Sequence, residues 1–469
     1  MSLAALDRTV RLLGGDLFPR LSPRVLVAEL AATKVLIAAE RAELNSLAAQ
    51  HAVVTSFVCL AELGFEIYLA MPEVELLAPQ PPLRGARLRA GLLDLGNDLI
   101  APARLHRGER MDAAVALGRT EISGLAPSVQ VMRVAGDDWG GAVVVDSDPC
   151  EGFRGHLPFG ATLAAVAAGA EVTRIACARI ARERGLRVAA EFDLGGPHGC
   201  ELRLPELALV PGVELAEFDV VSAGAITHAC FFNLLRIQGA RGSARIFDSD
   251  RSEETNLNRY AMQRRSTLGQ AKVHTLVDMA SEGLGIEPVE SRLDDRLAAR
   301  VRLRNRVLVG VDHIPSRWTA QRHSPGWLCV AGTSHFTAMV SEHEPRTPCA
   351  ACLHPRDDPN APMYLPTISF VSLLAGTLQA HRLLAHVSGL PAAPPLLAAG
   401  FNLGSPEALA KDRPRGEPRL SGRLRGLDAY KPLCSDLVTV SCCRGDGRTS
   451  VRRGMQGHAI SIERLPWKE

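Results

Sequence analysis

The chain has 469 residues, of which 46% are hydrophobic and 22% charged, so its composition is that of a globular protein of two or three domains. A formal net charge of +2 gives no electrostatic footprint for binding nucleic acid or an anionic membrane. Residues 1–15 lack the basic start and the long apolar core of a secretion signal. With eleven cysteines and no such signal, we expect reduced thiols and a cytoplasmic protein.

Two segments far apart in the chain are similar enough to indicate an internal duplication. Residues 157–178 and 365–386 both begin with Leu-Pro and continue as helices rich in small residues. Glu171 and Arg174 interrupt the first of them, which predicts a buried helix and not a membrane span. A chance similarity between two alanine-rich helices is the alternative to duplication.

Each half also contains a strand-like run that ends in acidic residues, at 141–148 and at 243–250. Short apolar runs that alternate with helical segments indicate parallel strands in an α/β protein. We therefore predict Rossmann-like, mostly parallel sheets in a duplicated pair of domains, residues 1–200 and residues 201–400. Residues 401–469 are first polar and rich in proline and glycine and then strand-like, which predicts an exposed excursion and a closing strand.

A possible phosphate-binding turn lies early in the second half. Gly224 follows an apolar strand and precedes a helix, a geometry that presents backbone N–H groups to a phosphate. An ordinary strand-to-helix turn explains the same pattern, because Gly224 is all that remains of a glycine motif. Asp248 ends the next strand, where ligands of open α/β sheets bind and where a carboxylate can accept hydrogen bonds from ribose hydroxyls. Taken singly, Asp248 could also be a helix cap or a solvated acid.

Cationic and amide side chains follow in the next segment, with Asn256, Arg259 and Lys272 in order. Arg and Lys neutralise phosphate charge in a crowded anionic centre, and Asn can orient the phosphates. A surface salt bridge is the alternative role for either cation. The run 307–311 reads as a buried strand that ends at Asp312, a carboxylate that could hold Mg²⁺.

In order, these blocks read DxDxxExxNLNR, GxxK and a strand that ends in Asp, and this series resembles the ThiF/MoeB/ubiquitin-activating adenylyltransferase family. The resemblance implies a ThiF-type adenylation fold, ATP and Mg²⁺ as cofactors, and adenylation of the C-terminal carboxylate of a partner. It implies that Asp248 binds the ribose, that Asn256, Arg259 and Lys272 hold the phosphates, and that Asp312 holds Mg²⁺. The full set of nucleotide-site candidates is Gly224, Asp248, Asp250, Asn256, Asn258, Arg259, Lys272 and Asp312, of which Arg259, Lys272 and Asp312 are expected to be catalytic.

The sequence departs from the family pattern at four positions. Ser222, Ala225 and Thr227 stand where glycines are usual, and Tyr260 stands where many members have Gln. Side chains in the turn could crowd a nucleotide, because glycine permits close approach of the backbone. We expect adjustment of the turn and not loss of the site.

Five cysteines in the second half bear on metal binding and thioester chemistry. Cys349 and Cys352 form a CxxC pair, which can supply half of a tetrahedral zinc site. The resemblance implies a structural zinc completed by downstream cysteines, with Cys442 and Cys443 as candidates, although neighbouring cysteines rarely both bind one ion. A redox pair and unligated thiols are the alternatives. Relatives that form a thioester use an activated cysteine, and Cys434 is our first candidate for it.

The first half lacks the NLNR and GxxK blocks, so the resemblance implies a degenerate, inactive half in an internal pseudo-dimer; a homodimer is the alternative. In such enzymes a basic residue of an N-terminal helix can reach the ATP of the other half, and Arg8 and Arg11 are candidates. The expected partner is a ubiquitin-like or sulfur-carrier-like small protein ending in Gly, together with a conjugating enzyme. Adenylation without a thioester step and a non-catalytic module that binds leader peptides are the other readings.

Overall fold

A computed structural model of the chain describes most of residues 2–400. The described residues are 2–145, 150–188, 194, 199–209, 212–324, 326–344, 350, 367–390, 396–400, 449–452 and 459–462. Within them the chain forms two seven-stranded sheets and one two-stranded sheet.

The first sheet occupies the first half of the chain, and its strands are β1 (Lys34–Ala38), β2 (Glu66–Ala70), β3 (Ala103–Leu105), β4 (Ala113–Leu117), β5 (Gln130–Gly136), β6 (Gly140–Val145) and β7 (Cys200–Arg203). The helices of this half are α1 (Asp7–Asp16), α2 (Pro23–Ala32), α3 (Arg41–Leu44), α4 (Leu47–Glu62), α5 (Leu88–Asn97) and α6 (Pro158–Glu183). The strand order is β3-β2-β1-β4-β5-β6-β7. The first five strands are parallel to one another, and the pairs β5–β6 and β6–β7 are antiparallel.

The second sheet consists of β8 (Glu214–Val221), β9 (Arg241–Phe247), β10 (Leu284–Val289), β11 (Arg306–Val309), β12 (Trp327–Ser334), β13 (Thr337–His343) and β14 (Leu396–Gly400). Its helices are α7 (Ala225–Leu234), α8 (Lys272–Val277), α9 (Asp295–Val301), α10 (Ile314–His323) and α11 (Ser369–Val387). The strand order is β10-β9-β8-β11-β12-β13-β14. Near the C-terminus, β15 (Thr449–Arg452) and β16 (Ala459–Ile462) form an antiparallel pair. The run 437–443, predicted as a closing strand, lies outside the described residues.

The two sheets have the same strand order and the same pattern of parallel and antiparallel pairs, which confirms the predicted duplication and the mostly parallel α/β fold. The register relates individual residues of the two halves. Ala38 pairs with Ala70 and Ala116 in the first sheet, as Val221 pairs with Phe247 and Val309 in the second. These pairings give a residue-by-residue correspondence between the strand ends of the two halves.

The two halves meet through α4, α6, α7 and α11, which pack on one another between the sheets. Every residue of α4 is buried, and α11 is buried from Ser369 to Ala385. A Cβ atom added at Gly376 would lie 2.5 Å from the backbone N of Cys230, so the close packing of α7 on α11 requires glycine there. Among the described residues, α6 is the one helix long and apolar enough to cross a membrane, and 94% of its most apolar window is buried inside the protein. This burial agrees with the predicted core helix.

Candidate active site

The predicted phosphate turn joins β8 to α7 with the backbone geometry that glycine favours. Ser222 has a φ of 77°, in the left-handed region, although it has a side chain. Its hydroxyl donates to the backbone oxygen of Gly310 at 3.3 Å, and the hydroxyl of Thr227 donates to the backbone oxygen of Ser222 at 2.7 Å. Both hydroxyls are therefore bonded to the protein's own backbone. Gly224 is the N-cap residue of α7, so no side chain caps the N–H groups of the first turn.

Asp248 ties the ends of β8 and β9 together. Its carboxylate accepts the backbone N–H of Ala223 at 2.7 Å and that of Asp250 at 2.8 Å. Burial raises the pKa of Asp248, and these hydrogen bonds and the charge of Lys272 act against that rise. Each carboxylate oxygen has a second lone pair, so the fixed carboxylate can still accept hydrogen bonds from a ligand.

The segment between β9 and α8, residues 250–271, is called the cation loop below because it carries Arg259 and leads into Lys272. Lys272 is the first residue of α8, and its Nζ lies 2.9 Å from Oδ2 of Asp250. Burial acts to lower the pKa of Lys272, but the electrostatic attraction of Tyr260, Asp248 and Asp250 outweighs it and raises that pKa. Lys272 therefore remains a cation in a largely enclosed position.

Arg259 is held within the cation loop. Its Nη1 donates to the backbone oxygen of Thr255 at 2.6 Å and to Oδ1 of Asn258 at 2.8 Å. The guanidinium carbon lies 5.3 Å from the centroid of the Tyr260 ring, and Nζ of Lys272 lies 5.7 Å from the same centroid. Tyr260, which the sequence showed only as a departure from the family, thus stands beside both cations.

The two asparagines of the NLNR block differ in their contacts. Oδ1 of Asn256 accepts the backbone N–H of Glu253 at 2.9 Å, so this side chain shapes the loop. Asn258 is fully buried, and its Nδ2 has no hydrogen-bond partner within the described part of the chain. A buried amide donor next to Arg259 is a group that a bound ligand could satisfy.

Asp312 lies just beyond β11, is exposed to solvent, and interacts electrostatically with Arg8 of the first half and Arg317 of the second. Burial lowers the pKa of Arg8, the positive charge of Arg259 lowers it further, and Asp312 acts in the opposite direction. Burial likewise lowers the pKa of Arg317, and the charge of Asp312 acts to raise it. Arg8, from α1 of the first half, therefore reaches this site. Arg11 does not, because it is largely exposed and pairs with Asp7 at 2.8 Å.

Two further buried groups border the site, and local sequence patterns did not indicate them. His228, one turn into α7, is fully buried, and its ring centroid lies 4.9 Å from that of Tyr260. Neither ring nitrogen has a partner among the described residues, and burial together with Lys272 lowers the pKa of His228 to about 3. Glu62, at the end of α4, accepts a short hydrogen bond from Ser369, and burial raises its pKa to about 8 against the opposing effects of Ser369 and Arg259. The only available signal was an ionisable residue within a mostly apolar helix.

Cys349, Cys352, Cys434, Cys442 and Cys443, the candidates for zinc and for the thioester, lie outside the described residues. The six described cysteines are buried. In the described part of the chain no three His, Cys, Asp or Glu side chains are grouped so that they could hold a metal ion. The zinc and thioester assignments therefore stay predictions.

Comparison with known proteins supports the resemblance seen in the sequence. Residues 223–414 match the family model of the ThiF family, which confirms that resemblance over this part of the chain. A curated relative, the uncharacterized protein y4jF of Sinorhizobium fredii, is 26% identical over 264 residues, which are 55% of this chain and 47% of the relative. The match thus spans about half of the length of that relative.

Solved structures of low similarity were also found. Escherichia coli MccB with MccA-N7isoASN is 18% identical, with a TM-score of 0.36, over 44% of this chain and 65% of that chain. Escherichia coli MccB with ATP is 17% identical, with a TM-score of 0.35, over 44% of this chain and 64% of that chain. The structure of selenomethionine PaaA is 12% identical, with a TM-score of 0.32, over 39% of this chain and 60% of that chain.

The family match covers the candidate site. Residues 223–414 include the turn before α7, Asp248, the cation loop and the end of β11, which lie at the carboxyl ends of β8, β9 and β11.

Proposed function

We propose that the chain uses ATP and Mg²⁺ to adenylate the C-terminal carboxylate of a small protein or peptide. In this reaction a carboxylate oxygen bonds to the α-phosphorus of ATP, the bond from that phosphorus to the bridging oxygen breaks, and pyrophosphate leaves. The negative charge of the phosphates demands fixed cations and N–H donors, because preorganised charge lowers the barrier without rearrangement.

The observation that supports this proposal most is the convergence of the required groups at one sheet edge. Asp248 follows β9 and Asp312 lies beyond β11, the two strands that flank β8. Lys272 is within hydrogen-bonding distance of Asp250, whose N–H donates to Asp248. Arg259 interacts electrostatically with Arg8, which in turn interacts with Asp312. A carboxylate, cations and a free helix N-terminus in one place suit a nucleoside triphosphate.

Each of the named residues can be given a role in binding the nucleotide. Asp248 would accept the ribose hydroxyls, while the first turn of α7 and the buried amide of Asn258 would donate to phosphate oxygens. Arg259 and Lys272 would neutralise the phosphates. Asp312, exposed and acidic, would hold Mg²⁺, which would supply positive charge to neutralise the phosphates.

The described residues of the first half show no equivalent set of groups at the corresponding strand ends, and the register supports the proposal that this half is catalytically inactive. Counting from the paired strands, Met71 takes the place of Asp248 and Arg119 takes the place of Asp312. Glu43 accepts the backbone N–H of Arg119 at 3.0 Å, so an acidic side chain covers the strand end where phosphates would lie. An anion at this position would repel a nucleotide.

The finer part of the proposal is that the partner is a ubiquitin-like protein ending in Gly and that a thioester on an enzyme cysteine follows adenylation. Burial raises the pKa of Cys59 and of Cys230, and buried thiols of this kind are unreactive. The thiol would therefore come from outside the described residues, with Cys434 as the first candidate. Adenylation without a thioester would instead give no thiol-sensitive bond between enzyme and partner, and pyrophosphate release would be the same in a Cys434→Ala variant.

Binding of Mg·ATP measured by calorimetry tests the central proposal, because it needs no partner. We expect saturable binding by the wild type, and a loss of affinity of about tenfold or more for Lys272→Ala and for Asp312→Ala. Arg154→Ala is the matched control, since Arg154 forms an exposed ion pair with Glu151 away from this site. A folded wild type that binds no Mg·ATP would overturn the proposal in favour of a non-catalytic peptide-binding module.

A further inference from the structure

The two ends of the cation loop pair with each other and form its base, while residues 265–266, the tip of the loop, contact the first half of the chain. Ser252 donates its backbone N–H to Gln270 at 2.8 Å and accepts the backbone N–H of Gly269 at 2.8 Å, which joins the two ends of the loop. A bridge between Arg251 and Ala271 continues this pairing. Contacts within the cation loop therefore fix its base. The position of the residues between base and tip depends on the part of the protein that the tip contacts.

The tip of the cation loop binds the first half of the chain at Asp98, the C-cap residue that follows α5. The carboxylate of Asp98 accepts the backbone N–H of Ser266 at 2.8 Å and also the Ser266 hydroxyl. Its backbone oxygen accepts the N–H of Arg265 at 2.8 Å, and the oxygen of Leu99 accepts Nε of Arg265 at 2.7 Å. One short segment of the first half thus makes four hydrogen bonds to two consecutive loop residues.

Charge reinforces this contact. The C-terminal end of α5 carries the negative end of the helix dipole, and the Asp98 carboxylate adds to it. Near Asp98 lies Arg264, a buried arginine. Burial and the charge of Arg84 lower the pKa of Arg264, while the charges of Asp98 and Asp94 act to raise it. A second contact holds the start of the loop, because the hydroxyl of Ser2 donates to Glu254 at 2.6 Å.

We propose that Asp98 of the inactive half is a positioning residue for the nucleotide site. It anchors the loop tip, which lies midway in sequence between Arg259 and Lys272. This inference rests on the function proposed above and extends it: the first half lacks a site of its own but holds the cations of the second half over the phosphates. Asp98 touches no reacting group and acts only through the loop.

The test compares Asp98→Ala, Asp98→Asn and Asp94→Ala in the full chain. Asn keeps an oxygen that can accept the Ser266 N–H, whereas Ala removes both carboxylate bonds. Asp94→Ala is the matched control, since it removes the same charge from α5 and Asp94 makes no hydrogen bond to the loop in the described part of the chain. Thermal unfolding checks that each variant is folded.

Calorimetry with Mg·ATP and with AMP separates positioning from general damage. For Asp98→Ala we expect the Kd of Mg·ATP to rise roughly tenfold and the Kd of AMP to change less, because AMP carries fewer phosphate charges for Arg259 and Lys272 to neutralise. Asp98→Asn should recover part of the loss, and Asp94→Ala, which removes a charge near Arg264, should raise the Kd much less than Asp98→Ala does. In a Lys272→Ala background, Asp98→Ala should add less than it does alone. Unchanged affinity for ATP, or equal losses for ATP and AMP, would overturn the proposal.

Backbone hydrogen exchange over residues 252–270 gives a readout that does not depend on nucleotide. Faster exchange in Asp98→Ala, with the rest of the second half unchanged, is expected if Asp98 anchors the tip. If the wild type bound no ATP while exchange still responded, the proposed function would fail and the anchoring would stand. Unchanged exchange would refute the anchoring whatever the nucleotide result.

Discussion

Tyr260 is the side chain on which the cations of the site converge. Its ring faces Arg259 and Lys272 and also lies against the buried imidazole of His228. Where relatives carry an amide at this position, this chain presents an aromatic face, which attracts cations by its quadrupole and limits their rotamers. The departure from the family pattern therefore has a physical role in this site.

Substitutions of Tyr260 can distinguish the contribution of its ring to nucleotide binding from that of its hydroxyl. We expect Tyr260→Phe to keep the affinity for Mg·ATP and Tyr260→Ala to weaken it by roughly 5- to 30-fold, since cation–π contacts at enclosed sites contribute about 1–2 kcal/mol. Calorimetric Kd values of the two variants decide the matter. If Phe were as damaging as Ala, the hydroxyl and not the ring would be the group that matters.

How far the sequence could predict this site depends on how local each feature is. Asp248 directly follows β9 and Asp312 lies shortly beyond β11, and the apolar runs that precede them make both positions visible in the sequence. The contributions of Arg8, Asp98 and Glu62 come from the other half of the chain, so no local pattern could reveal them. The choice between Arg8 and Arg11 was likewise decided by packing, because both lie on one short helix.

At the scale of elements, the interface helices are the part of the fold that sequence periodicity describes least well. Helices buried on all sides have no polar face, so they lack the amphipathic pattern that marks a surface helix. Glu62 lies at the end of such a helix, α4, and binds Ser369 at the start of α11. A carboxyl group is thereby enclosed between the two halves with one oxygen, Oε1, unpaired among the described residues.

Glu62 should make stability depend on pH. Burial raises its pKa from 4.5 to about 8, so between these values the folded state holds a proton that the unfolded state has lost. The contribution of Glu62 is complete below about pH 4.5 and is lost as pH rises towards 8, at no more than about 1.4 kcal/mol per pH unit. Glu62→Gln should therefore flatten the decline, which urea unfolding at pH 5.5, 6.5 and 7.5 would measure. Parallel pH curves for variant and wild type would show that Glu62 is ionised when folded.

At the scale of the whole molecule, the two duplicated halves share one core. A single cluster of buried apolar residues runs from Leu6 and Phe57 in the first half to Phe231 and Leu378 in the second. Buried polar contacts also cross between the halves, since Arg236 donates to Thr55 at 2.9 Å and to the backbone oxygen of His51 at 2.7 Å. Each sheet also has a smaller apolar cluster of its own, which includes Leu36 in the first half and Val307 in the second, but the largest cluster is common to both halves.

The two halves should therefore unfold together, and Gly376 provides the test. An alanine Cβ at this position would lie 2.4 Å from Cβ of Ala229, so Gly376→Ala should destabilise the protein by about 1–3 kcal/mol through overpacking of α7 on α11. Gly15→Ala is the matched control, because a Cβ in that helix meets nothing within 4 Å and should be neutral or slightly stabilising. Calorimetry should show one transition in all three proteins, shifted as a whole to lower temperature in Gly376→Ala. Two transitions, of which the substitution moved only one, would show that the halves are independent and that their shared core does not couple them.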